Sequence, residues 1–154
     1  MEYVIVKWLH ILSSTVLFGT GLGSAYYMFF ISLTRDTHAV AHVVRQVVRA
    51  DWWFTTPTII FQPLSGFYLM HLIGYPANTG WIAASLLLYV FAGACWLPVV
   101  WMQIQMRDMA QLAMTKGERL PKRYWHFLRI WTALGTVAFL ALVGVFYLMV
   151  ARPA

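Results

Sequence analysis

Four long apolar runs separated by short polar stretches organise this chain. Crossing a bilayer takes about 20 mostly apolar residues, and Val4–Thr34, Trp52–Ile73, Trp81–Met106 and Tyr124–Val150 each reach that length. The first run ends at Arg35-Asp36, the third at Arg107-Asp108, and the fourth follows "KGERLPKR". The second stops at "GYPANTG", whose glycine, proline and asparagine favour a turn. The pattern predicts an all-α, polytopic membrane protein: one domain over residues 1–154, built as a four-transmembrane-helix bundle.

The stretch "THAVAHVVRQVVRAD" has a different rhythm. His38, His42, Arg45, Gln46 and Arg49 fall on one helical face, with Val40, Val43, Val44, Val47 and Val48 on the other. This predicts an amphipathic cytoplasmic helix between spans one and two, or an inward extension of span two, with Thr37 as its N-cap. Pro57 and Pro63 are expected to kink span two, with Gln62 satisfying the backbone groups they free, and Pro98 to do the same in span three.

Composition strengthens the membrane reading. Of 154 residues, 61% are hydrophobic and only 10% charged, against about 25% charged in soluble domains. A net charge of +6 raises the question of nucleic acid, which the positions of the charges answer. Arg35, Arg45, Arg49, Arg107, Lys116, Arg119, Lys122, Arg123 and Arg129 are nine of the eleven basic residues, and all lie on one side of a four-span bundle. By the positive-inside rule those loops face the cytoplasm and both termini face outward. The lipid bilayer is the expected partner, alone or with a homo-oligomeric or heteromeric membrane association, and nucleic acid is not expected. The single Cys95 forms no intrachain disulfide, and the five acids, Glu2, Asp36, Asp51, Asp108 and Glu118, map to termini or loops. A proton relay through span carboxylates is therefore not expected.

Ionisable side chains at membrane depth are costly and mark candidate function. Lys7 and His10 share a face near the outer end of span one, and His71 lies near the outer end of span two. Topology brings the two histidines to the same leaflet. Paired neutral imidazoles suit haem iron, which makes His10 and His71 candidate axial ligands of a haem b. Gly19 and Gly23 would let a flat macrocycle approach backbone, Phe67 would line its wall, and Lys7 would pair with a propionate. Plainer readings stand beside these. Gly19-x-x-x-Gly23 is a helix-packing pattern, Lys7 can snorkel to headgroups, and His71 can simply be hydrated. His126, among basic residues, reads as interfacial, and the His38/His42 pair lacks a third metal ligand.

The segments "QPLSGFYLMHLIGYP", "GACWLPVVWMQIQMRDMA" and "LPKRYWHFLRIWTALGTVAFLAL" resemble, over nearly the whole chain, a bacterial integral membrane family known as domain of unknown function 2269 (DUF2269). More distantly, the K-x-x-H of Lys7 and His10, with "GWIAASLLLYV" and "RYWHFLRIW", resembles the HemJ-type protoporphyrinogen oxidases. That resemblance implies a haem b scaffold with His10 as ligand. The span-three lysine of that family is replaced here at Ala84 and Ser85, and "RIWTALGT" lacks its acid, so the likeness does not extend to protoporphyrinogen oxidation. CopD-type membrane proteins are similar more remotely.

Together these readings lead to a haem b-binding protein of the bacterial inner membrane, with a redox or electron-transfer role near the outer leaflet and, as an enzyme, a haem-dependent oxidoreductase. A non-enzymatic accessory or assembly subunit is the alternative. A copper-handling protein is third, suggested by Met70-His71. The sequence names no substrate and no electron donor or acceptor.

Overall fold

The computed structural model describes residues 1–76 and 79–152. Five α-helices account for nearly all of them: α1 (Glu2–Leu33), α2 (Thr37–Ala50), α3 (Thr56–Ile73), α4 (Gly80–Lys116) and α5 (Lys122–Ala151). No strand occurs among the described residues. The helices α1, α4 and α5 are long and apolar enough to cross a membrane by length and composition. Helix α3 is not among them, because Pro57, Gln62, Pro63 and His71 interrupt its 18 residues. The expected turn at "GYPANTG" falls partly on Ala77 and Asn78, outside the described residues. Before it, Gly74 closes α3 at φ 74°, a left-handed conformation that a residue without Cβ adopts freely.

Two boundaries differ from expectation. Arg107-Asp108 ends the apolar run of span three but not the helix, which continues to Lys116. Met106, Ala110 and Ala113 carry its buried stripe onward at helical spacing, while Arg107 and Asp108 pair with each other on the surface at 2.8 Å. The N-cap of α2 is Asp36 rather than Thr37: its carboxylate accepts from the His38 and Ala39 amides at 3.0 and 3.1 Å. Thr37 instead donates to the Glu118 carbonyl, tying α2 to the α4–α5 connection.

Between α2 and α3 the helix does not stop. Asp51–Thr55 forms a single π-helical turn, and the Thr56 amide reaches back to the Asp51 carbonyl. Proline cannot donate an N–H, and its ring excludes the carbonyl four residues earlier. Pro57 therefore accounts for the widened turn just before it. Gln62 does not serve backbone freed within its own helix: its amide nitrogen donates across to the His10 carbonyl of α1 at 2.9 Å.

At about 1.5 Å per residue, α4 is about 55 Å long, well beyond a hydrocarbon core of about 30 Å. The surplus lies at the basic end. There α2 buries Val40, Ala41, Val44, Val47 and Val48, and packs with Met28, Met102, Met106, Tyr124 and Leu128 in one apolar core. Toward the other end the molecule separates into two helix pairs, α1 with α3 and α4 with α5. The Tyr89 hydroxyl donates to the Ile59 carbonyl at 2.6 Å and bridges them.

Candidate functional site

All five histidines are described, and His10 alone among them is buried. Its ring lies against α3 at Gly66, where an added Cβ would be in ordinary van der Waals contact, 3.5 Å from His10 Cε1. Nδ1 is 2.7 Å from Ser65 Oγ. The single hydroxyl proton of Ser65 serves the Phe61 carbonyl at 2.7 Å, as serines in helices commonly do. The serine oxygen is then an acceptor and His10 Nδ1–H the donor. That arrangement fixes the tautomer and leaves the Nε2 lone pair free, which is how a metal-ligating imidazole is usually oriented. Gln62 holds the backbone of the same residue.

The other candidate positions do not gather around this ring. His71 is exposed. It stands about 120° around α3 from Ser65, and about 180° from Gln62, at about 100° per residue. The two histidines share one end of the bundle but not one face, so the expected convergence does not occur within the chain. Lys7 is exposed, its Nζ 5.6 Å from the Tyr3 ring centroid. Phe67 is exposed, and its neighbour Tyr68 donates to the Glu2 carboxylate. A Cβ at Gly19 or Gly23 would meet nothing within 4 Å, so neither glycine is covered by another helix of this chain. His126 is exposed. His42 Nδ1 takes a 3.2 Å contact from Arg45, and no group of three His, Cys, Asp or Glu side chains gathers among the described residues.

A second feature was not legible beforehand. Between the two helix pairs runs a cavity of about 280 Å³. Aromatic side chains of Phe18, Tyr89, Trp96 and Phe139 and small residues of α1, α4 and α5 line it, and Asp51, Thr55, Gln103 and Trp131 are among its polar lining. Asp51, expected in a loop, sits in the π-helical turn and is only 6% exposed. It precedes the apolar run Trp52–Ile73. Burial pushes its carboxyl above the usual carboxylate range, partly offset by hydrogen bonds from Thr55 and Gln103. The Thr55 hydroxyl donates to it at 2.8 Å. The signal lay in "DWWFTTP", an acid four residues before a threonine and six before a proline.

Among sequence families, the model for a predicted integral membrane protein, DUF2269, matches residues 4–153. No curated protein and no solved structure matches the chain. The long apolar helices agree with that description, and the match spans nearly every residue: the chain belongs to the DUF2269 family of integral membrane proteins.

Proposed function

We propose that the protein is a four-span haem b protein of the bacterial inner membrane, in which His10 is an axial ligand and the role is electron transfer or haem-dependent oxidation near the outer leaflet. The carrying observation is the buried imidazole of His10, held through Nδ1 by Ser65 with Nε2 left as a neutral donor. Nε2 has no hydrogen-bond partner and is not among the fully enclosed unpaired atoms, so it is open to a ligand at the helix surface. An ionisable group in an apolar span marks candidate function. The fourth span in this reading is α3. It runs beside α1 and exposes Ile60, Leu64, Phe67 and Ile73, a surface suited to lipid. The basic loops then lie in the cytoplasm and both termini outside.

The donor set fits ligation by one histidine. His10 supplies the nitrogen, Ser65 keeps the ring in one tautomer, and Gln62 pins its backbone. A haem held there through its iron by His10 would supply one-electron redox chemistry. His71 faces elsewhere, so the reading rests on His10. A reduced-minus-oxidised absorbance spectrum of protein purified after haem-sufficient expression is the test. A Soret band present in wild type and lost in His10→Ala supports it. A colourless wild-type protein overturns it.

One observation favours the accessory-subunit reading beside this one. Gly19 and Gly23 form an uncovered small-residue pair on one face of α1, of the kind that lets another membrane helix approach closely. Cross-linking in membranes, abolished by Gly23→Leu and indifferent to His10→Ala, is the result that reading expects.

A further inference from the structure

The cavity between the helix pairs holds two buried polar atoms without partners. Gln103 is 3% exposed and Trp131 is 5% exposed, and both line the cavity. Gln103 Oε1 and Trp131 Nε1 make no hydrogen bond. Buried polar groups are paired in the great majority of cases, because an unpaired one costs about 1–3 kcal/mol. An open acceptor and an open donor in the lining of the same cavity therefore specify a missing partner that donates to one and accepts from the other.

The rest of the lining narrows its chemistry. No Lys, Arg or His is among the described residues that line the cavity, so nothing there balances a phosphate or a carboxylate. The donor Trp131 Nε1–H requires an acceptor on the ligand, which a bare ammonium lacks. Phe18, Trp96, Trp131 and Phe139 offer flat apolar faces of the kind that stack on a ring. About 280 Å³ lies at the small end of ligand pockets, roughly 300–1,000 Å³. That suffices for a single ring, with any long tail leaving between the helix pairs into lipid.

From this we infer that the cavity is a binding site for an uncharged, lipid-soluble ring bearing carbonyl or hydroxyl oxygens, the chemical class of the isoprenoid quinones and quinols. The ring stacks among the aromatic walls. One oxygen accepts from Trp131 Nε1–H, and a hydroxyl donates to Gln103 Oε1. The π-helical turn ahead of Pro57 places Asp51 and Thr55 in the same lining. The site shares no residue with the His10 cluster and does not depend on the haem proposal.

The test is binding of decylubiquinone, and of its quinol, to the detergent-purified full chain, read by quenching of tryptophan fluorescence. The baseline is Gly135→Leu: Gly135 lines the cavity and a Cβ there meets nothing within 4 Å, so the added side chain fills the space without a backbone clash. Helix content by circular dichroism and elution position establish that each variant is folded. Wild type is expected to bind saturably, and Gly135→Leu not to bind. Gln103→Leu is expected to weaken quinol binding roughly tenfold, the effect of one lost hydrogen bond. Absence of saturable binding in wild type overturns the inference. So does equal binding by folded Gly135→Leu, or equally tight competition by decanol or decanoate, which carry no ring.

Discussion

The two ends of this molecule are built on different principles. At the basic end α2 lies against α1 and α4, and Met28, Val40, Val44, Met106 and Tyr124 are fully enclosed. A buried polar contact there is paired: the Tyr124 hydroxyl meets Ser32 Oγ at 2.7 Å, and Ser32 donates to the Met28 carbonyl. At the other end two helix pairs flank a cavity, bridged by Phe18 against Phe139 and Phe146, glycines on α1 lack neighbours, and large apolar side chains face outward. The first is the interior of a soluble domain in miniature, where water drives burial. The second is made of the long apolar helices, and where lipid is the solvent burial of apolar surface gains little. The densest packing is thus at the basic end, and the open space lies between the long apolar helices.

The sharpest way to break that division is a charge in the basic-end core. Val44→Asp buries a carboxylate at a fully enclosed position with no cation opposite. The expected outcome is loss of the folded, monodisperse fraction on size-exclusion chromatography. Met106→Ala removes a fully buried side chain and is expected to lower stability by about 2–5 kcal/mol, as such truncations do, measured as thermal unfolding by circular dichroism. Tyr124→Phe removes one buried hydrogen bond but leaves Ser32 bonded to the Met28 carbonyl. Its cost is expected to be about 1 kcal/mol.

What the sequence made legible, and what it did not, follows the same divide. The apolar runs, the basic loops and the valine face of α2 are one-dimensional signals, and α2 buries Val40, Val44, Val47 and Val48 of that face. Azimuth is harder. Topology put His10 and His71 at one end, but one residue turns a helix by about 100°, and only packing decides which face meets α1. Asp51 was equally opaque, because an acid between apolar runs reads as a loop until Pro57 is seen to widen the helix around it. Gln103 and Trp131 are more than 25 residues apart in sequence, and only the α4–α5 pairing brings them to one cavity.

Two smaller effects sharpen the contrast. Burial raises the Asp51 carboxyl, so the folded state holds that proton more tightly than the unfolded chain does. Its contribution to stability is full below the unfolded value of about 4 and falls as pH rises through the higher folded value. Asp51→Asn, neutral throughout, is expected to match wild type in acid and to exceed it at neutral pH in paired thermal melts. Smallest of all is Gly23→Leu. The open space around that position predicts no measurable change in the melting of the isolated chain, and an effect only on association.

The most direct measurement pairs one variant from each end. Haem per folded chain, by pyridine haemochrome assay, and melting temperature are measured together for wild type, His10→Ala and Met106→Ala. The expected result is that His10→Ala loses haem while its helix content is kept, and that Met106→Ala melts lower with haem per folded chain unchanged. Wild-type protein without haem, or a His10→Ala protein that keeps its full complement, contradicts the assignment of the ligand to the membrane end of α1.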